Sequence, residues 1–168
     1  AVLDLDLRKA SLHNEFDIPN NVGISNYLTF QNTFEDIKNS INDDGTLDVF
    51  TTGTLPPNPS ELILTEEMTS FIQQLEEIYD YIIIDTPPVG LVTDAAILMN
   101  YSDISFMIVR ADYTRKEFVK NLDRFAKEHN QNTFGLILNG VDIGEKYGYG
   151  YGSAYGYGYG NEKYYKNR

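Results

Sequence analysis

Five short runs of β-branched, aliphatic and aromatic residues punctuate the chain: Val2 to Leu5, Leu47 to Thr51, Tyr81 to Ile84, Ile104 to Val109 and Phe134 to Leu138. Each is apolar at consecutive rather than alternate positions, the pattern of strands buried on both faces of a parallel sheet. Helical signals lie between them. Asn58-Pro59-Ser60-Glu61 supplies an N-cap, a first-turn proline and a carboxylate three residues after the cap. Met68, Phe71, Ile72, Leu75 and Ile78 then continue an apolar stripe at helical spacing. Thr93 starts a second helix running to about Tyr101, and Thr114 with Glu117 predicts a capping box ahead of Phe118, Leu122, Phe125 and Ala126. Alternating strands and helices predict an α/β fold: a doubly wound, mostly parallel sheet flanked by helices.

In such folds ligands sit at the carboxyl ends of the strands, which directs attention to Asp4, Asp6 and Asp85. Tyr81 to Pro88 is an apolar strand ending on Asp85 and then a turn forced by Pro87 and Pro88. A carboxylate held this way can orient Mg²⁺ or one of its waters; a lone strand-end aspartate can equally cap the turn that follows. Val2 to Arg8 ends a second strand on two acids and a base. Two neighbouring carboxylates repel, and a cation offsets that repulsion. Arg8 can steady the acids, touch phosphate or form a surface ion pair. Asn139, closing the last strand, can read an adenine edge or make a turn. His13 reads as a turn or core residue, and His129 as a cation at a helix end. No Gly is followed by Lys, so the sequence carries no phosphate-binding loop. Opening without Met on Ala1-Val2-Leu3-Asp4, it reads as the C-terminal part of a longer domain. The strand that would carry such a loop would then be missing, leaving open sheet edges prone to association.

From Gly144 the composition changes to Tyr and Gly in near alternation, with Tyr147, Tyr149, Tyr151, Tyr155, Tyr157, Tyr159, Tyr164 and Tyr165 in the last stretch. Almost no aliphatic residue is present to offset ordering entropy, so residues 144–168 are expected to form a disordered tail behind a domain at 1–143. Charge narrows the function. With 13 Lys and Arg against 25 Asp and Glu, the formal net charge is −12, which argues against a nucleic-acid partner. The absence of cysteine excludes thiol catalysis, disulfides and thiolate metal sites. No stretch approaches the ~20 apolar residues of a membrane span.

Four segments together, Leu3 to Lys9, Gly53 to Leu62, Tyr81 to Val89 and the tyrosine cluster, resemble the bacterial tyrosine kinases of capsule and exopolysaccharide synthesis. These are P-loop ATPases, and the similarity runs through nearly the whole chain in the right order. Single segments are shared with partition and division-site ATPases. The resemblance implies that Asp4 and Asp6 fall on a second Walker A-like motif and Asp85 on Walker B. Asp4 and Asp85 would then hold Mg²⁺, and Asp6, or Asp4, would orient or deprotonate the attacking phenol. It implies ATP as phosphoryl donor and the tail tyrosines as acceptors, phosphorylated in trans within a homo-oligomer. It also implies a membrane polysaccharide co-polymerase or activator, fused or separate, a cognate phosphotyrosine phosphatase, and a place at the cytoplasmic face of the bacterial inner membrane. Ala10 stands where many members have Pro, and without the P-loop the chain is expected to be inactive apart from its parent. The alternatives are a partition or division-site type ATPase without a protein substrate, and a non-catalytic regulatory module.

Overall fold

The computed structural model describes residues 1–89, 93–122, 124 and 133–142. Three of the apolar runs form β1 (Val2–Asp4), β3 (Asp48–Phe50) and β4 (Ile83–Asp85), and a short polar strand, β2 (Lys38–Ser40), joins them in the order β2-β3-β1-β4. β1 runs parallel to both neighbours, while β2 pairs antiparallel with β3. The sequence gives β2 no signal, since Lys38-Asn39-Ser40 lacks strand-forming residues. Its pairing is supported by Asn39 Nδ2, which donates to the Val49 carbonyl at 3.1 Å.

Successive strand residues face opposite sides. Asp48, Val49 and Phe50 are all buried, as are Leu3, Asp4 and Leu5, so the centre of this sheet is covered on both faces as expected. An aromatic cluster fills the core. The Phe50 ring centroid lies 5.3 Å from Phe34 and 5.8 Å from Phe71, which in turn lies 5.1 Å from Tyr27. Leu62, Ile63, Met68, Ile72 and Leu75 complete the packing.

The helical signal that starts at the Asn58 cap is divided between two helices, with Met68, Phe71, Ile72 and Leu75 of the stripe all in the second. α4 (Pro59–Ile63) stops at Leu64, and α5 (Glu66–Glu76) restarts behind Thr65, whose Oγ1 accepts from Met68 N at 3.3 Å. Asn58 caps α4 without a side-chain bond to the backbone; its Nδ2 reaches Glu61 Oε2 instead. The other helices with described bounds are α1 (Leu12–Glu15), α2 (Ile24–Leu28), α3 (Phe34–Ile37), α6 (Asp94–Leu98) and α7 (Lys116–Lys120). A single 3₁₀ turn, Met99–Tyr101, extends α6 to the expected end. The expected capping box at Thr114 and Glu117 does not form. Thr114 Oγ1 accepts from Arg110 N at 2.9 Å, and α7 begins one residue later, behind Arg115.

The last two apolar runs, β5 (Ser105–Arg110) and β6 (Phe134–Asn139), pair in parallel as a separate two-stranded sheet. Here the expectation of burial on both faces fails. Phe106, Ile108, Leu136 and Leu138 are exposed on this pair and Ile83 on β4, so the apolar character of these strands is not matched by cover among the described residues. The hydrophobic pattern records what a strand is suited to pack against. It does not supply the packing partner.

Phe125, Ala126, His129, the residue closing the expected 1–143 domain, and all eight expected acceptor tyrosines lie outside the described residues.

Candidate active site

The parallel register of β1 and β4 places Asp4 opposite Asp85, and Leu5 N donates to the Asp85 carbonyl at 3.0 Å. Strand pairing alone therefore brings two of the three acids together at one sheet end. Asp6 follows two residues beyond Asp4, in the turn that leaves β1.

The three carboxylates have different surroundings. Asp4 is fully buried. Its Oδ2 accepts from Ser11 N at 3.1 Å and Leu12 N at 3.0 Å, which anchors the start of α1, while Oδ1 is buried without a hydrogen-bond partner. An orphaned buried carboxylate oxygen is costly unless a cation or proton joins it. Asp85 is half-buried. Burial pushes its carboxyl above the usual carboxylate range, the negative charge of Asp4 adds to the rise, the Thr86 amide opposes it, and Asp6 contributes a smaller upward push. Asp6 is more open. Its Oδ1 accepts from Arg8 N at 3.1 Å and Lys9 N at 2.9 Å, a turn that fixes one oxygen and leaves Oδ2 available.

Among the described residues no group of three or more acidic, histidine or cysteine side chains is gathered closely enough to hold a metal unaided. Mg²⁺ does not require such a cage, because it keeps several waters and takes one or two carboxylates plus phosphate oxygens. Asp4 Oδ1 and the burial-strained carboxyl of Asp85 fit that donor set.

Two further expected site residues have partners within the chain. The Arg8 guanidinium is bound by neighbours: Nε donates to Asp94 Oδ2 at 2.7 Å, and Nη2 donates to Asp94 Oδ1 at 3.3 Å and Ser60 Oγ at 2.9 Å. The Asn139 side chain turns back on its own strand end, Oδ1 accepting from Gly140 N at 2.8 Å, and Gly140 takes φ 68°. His13 lies in α1 with Nδ1 buried and unpartnered.

Two features of the site region escaped sequence reasoning. Asp94, buried at the start of α6, meets Arg8 across 86 positions of sequence, a separation no local signal bridges. Gly23 and Gly53 are pressed backbone to backbone, so that a Cβ on either would overlap the other's main chain. That contact lets residues 20–26 strap the end of β3: Ile24 N and Ser25 N donate to the carbonyls of Thr51 and Thr52, and Asn20 Oδ1 accepts from Gly53 N at 2.7 Å. Thr52 Oγ1 donates to the Asp4 carbonyl at 2.9 Å, which ties the strap to the acid-bearing strand. Isolated glycines beside turn residues are the only trace of this in the sequence.

No protein-family model matches the sequence. Individual relatives do. The chain is 34% identical to the putative tyrosine-protein kinase CapB of Staphylococcus aureus over 151 residues, covering 89% of this chain and 65% of that protein. It is 38% identical to the tyrosine-protein kinase etk of Escherichia coli K12 over 162 residues, covering 96% of this chain and 22% of that protein. Thus the chain spans less than two thirds of CapB and about a fifth of etk. Among solved structures, the kinase domain of the E. coli tyrosine kinase ETK superposes with a TM-score of 0.77 at 31% identity, over 94% of this chain and 59% of that one. The chimerical protein CapA2B2 superposes at 0.76 and 34%, over 83% of this chain and 62% of that one. A plasmid partition protein from Borrelia burgdorferi, at 0.58 and 21% identity, shares the fold alone. Homology over nearly the whole chain, with the same α/β architecture, shows that it belongs to the bacterial tyrosine kinase family.

Proposed function

We propose that the protein containing this chain transfers the γ-phosphoryl group of ATP to tyrosine hydroxyls, including those of its own cluster at Tyr147, Tyr149, Tyr151, Tyr155, Tyr157, Tyr159, Tyr164 and Tyr165. The observation that carries this reading is the pairing of Asp4 with Asp85 in register, with Asp4 Oδ1 buried and unpartnered in a member of this kinase family. Asp4 and Asp85 would hold Mg²⁺, which when bound supplies positive charge to the β- and γ-phosphate oxygens.

The chain's own residues supply position. Asp4, pinned by the amides of Ser11 and Leu12, and Asp85, fixed by the β1–β4 ladder, are set before any ligand arrives. Asp6 is suited to the proton, because its Oδ1 is held and Oδ2 faces no competing donor among the described hydrogen bonds. A phenol has a pKa near ~10 and is a weak nucleophile at neutral pH. In the transfer its oxygen bonds to the γ-phosphorus, the bond from that phosphorus to the β–γ bridging oxygen breaks, ADP leaves with the electron pair, and the proton passes to Asp6 Oδ2. Catalysis of this kind is chiefly positioning and charge stabilisation.

The Tyr-Gly composition suits acceptors that enter a neighbour's site in extended form; the coil reach of such a segment is roughly 25 to 30 Å. A homo-oligomer phosphorylating in trans therefore fits. Phosphates at about 1.5 to 2 negative charges each would then favour subunit separation. A second polypeptide, or a fused membrane segment of the polysaccharide export apparatus, fits the chimerical make-up of the CapA2B2 relative. A phosphatase would reset the tail. Among the described residues no helix is long and apolar enough to cross a membrane, so attachment at the cytoplasmic face would come through that partner or through other sequence.

The test is phosphotyrosine mapping of the full-length protein after addition of Mg-ATP, beside its Asp85→Asn variant. Phosphate on the tail tyrosines, reduced by orders of magnitude in the variant, is the expected result. ATP hydrolysis without phosphotyrosine would instead establish an ATPase lacking a protein substrate, and failure to bind nucleotide would establish a regulatory module.

A further inference from the structure

Arg8 belongs to two networks at once. Its backbone amide, with that of Lys9, holds Asp6 Oδ1. Its guanidinium is gripped by Asp94 through both carboxylate oxygens, and Ser60 Oγ bridges the pair, donating to Asp94 Oδ1 at 2.5 Å and accepting from Arg8 Nη2 at 2.9 Å. The Asp94 side chain is 1% exposed and that of Arg8 42%. This is not a surface ion pair of the kind that contributes little, since one member is desolvated and each of its oxygens is satisfied. Three segments meet here: the turn after β1 that carries Asp6, the first turn of α4 through Ser60, and the start of α6 through Asp94. α6 is also the helix that follows the Asp85-Thr86-Pro87-Pro88 segment.

We propose that Asp94 is a positioning residue for phosphoryl transfer, acting through the Arg8 guanidinium to fix the turn that aims the Asp6 carboxylate. The inference rests on the kinase reading for its reaction, and on the hydrogen bonds above for its geometry. Asp94 touches neither substrate nor metal in this role. With Asp94 gone, the Arg8 side chain swings into solvent and its amide no longer stands in a fixed place, so Asp6 samples several orientations. Misplacement of a catalytic group by about 1 Å can cost on the order of 10²-fold in rate. Binding of nucleotide, held elsewhere, should change little. A lysine at position 8 keeps the charge but cannot reproduce the two-pronged grip.

The experiment uses the full-length protein in four forms: wild type, Asp94→Ala, Asp94→Asn and Arg8→Lys. Initial-rate kinetics of tyrosine phosphorylation and amide hydrogen exchange are read on each. For Asp94→Ala, kcat should fall on the order of 10²-fold with KM for ATP within a factor of about 3. The exchange of the Arg8 and Lys9 amides should quicken roughly tenfold or more, while the Leu5 amide, bonded to the Asp85 carbonyl, stays protected. Asp94→Asn, which retains an acceptor for Arg8, should lie between Ala and wild type. Arg8→Lys should reproduce the kcat loss, and it serves where Asp94→Ala does not fold. Unchanged Arg8 and Lys9 exchange in Asp94→Ala would overturn the brace, whatever the kinetics. Exchange that quickens while kcat holds would overturn the positioning role. Absence of tyrosine phosphorylation in the wild type would instead overturn the kinase reading, with the exchange data still deciding whether the brace exists.

Discussion

Asp4 and Asp85 face each other in register on adjacent parallel strands, and the burial of Asp85, with the negative charge of Asp4 beside it, raises the proton affinity of the Asp85 carboxyl. Two acids forced together without a cation destabilise the fold that holds them. Asp85 has a folded-state pKa above its unfolded value, so its ionisation costs stability at neutral pH; the cost disappears as pH falls below the unfolded value of about 4. Asp85→Asn should therefore raise the unfolding free energy of the nucleotide-free protein at pH 7, and with it the urea midpoint, by on the order of 1 kcal/mol or less because the group is only half-buried. Midpoints compared at pH 7 and pH 4 check this, and the advantage should shrink at the lower pH.

Asp94 should behave in the opposite sense. Its hydrogen bonds from Arg8 hold the carboxyl below the usual carboxylate range against the upward push of burial, and Ser60 assists. A lowered folded-state pKa gives stability that is fully present above the unfolded value of about 4 and is lost as pH falls through the folded one. The stability gap between wild type and Asp94→Asn should thus be flat from about pH 5 upward and close below about pH 4. A gap that widens on acidification would contradict the assignment.

Thr65 separates α4 from α5 and caps the second. Because its Oγ1 accepts from Met68 N at the start of α5 and donates to the Leu62 carbonyl, Thr65→Ala should cost about 1 kcal/mol, Thr65→Ser should be close to neutral, and Thr65→Asp, which keeps the acceptor but not the donor, should fall between them. Chemical denaturation of the three variants measures this.

Gly53 and Gly45 both have positive φ, 78° and 69°, but in different surroundings. A Cβ at Gly53 would meet Asn26 Oδ1 and the Gly23 backbone, whereas at Gly45 nothing lies within 4 Å. Gly45→Ala should cost only the left-handed strain of about 1 kcal/mol. Gly53→Ala should cost clearly more, roughly 3 kcal/mol or above, since the Gly23 backbone stands in the way as well as the hydrogen-bonded Asn26 Oδ1. Equal losses in thermal melts would show that the strap can relax.

The sequence by itself determined much of this protein. Consecutive apolar residues specified the five main strands, because only burial makes such runs favourable, and their alternation with capped helices specified the α/β class. The strand-end acids Asp4, Asp6 and Asp85 were legible for the same reason, as charges placed where a buried strand must stop. Tertiary structure alone decided the rest. β2 exists because β3 offers it an edge, not because Lys38-Asn39-Ser40 prefers extension. Thr114 spends its hydroxyl on Arg110 N rather than on a helix cap, a competition settled by the β5 turn. Arg8 is committed to Asp94 and Ser60, and Asn139 to its own turn, through contacts that local pattern cannot encode. Periodicity reports how a segment meets its surroundings, whereas the identity of a partner 86 residues away depends on strand order and register. Those are set only when the whole sheet assembles.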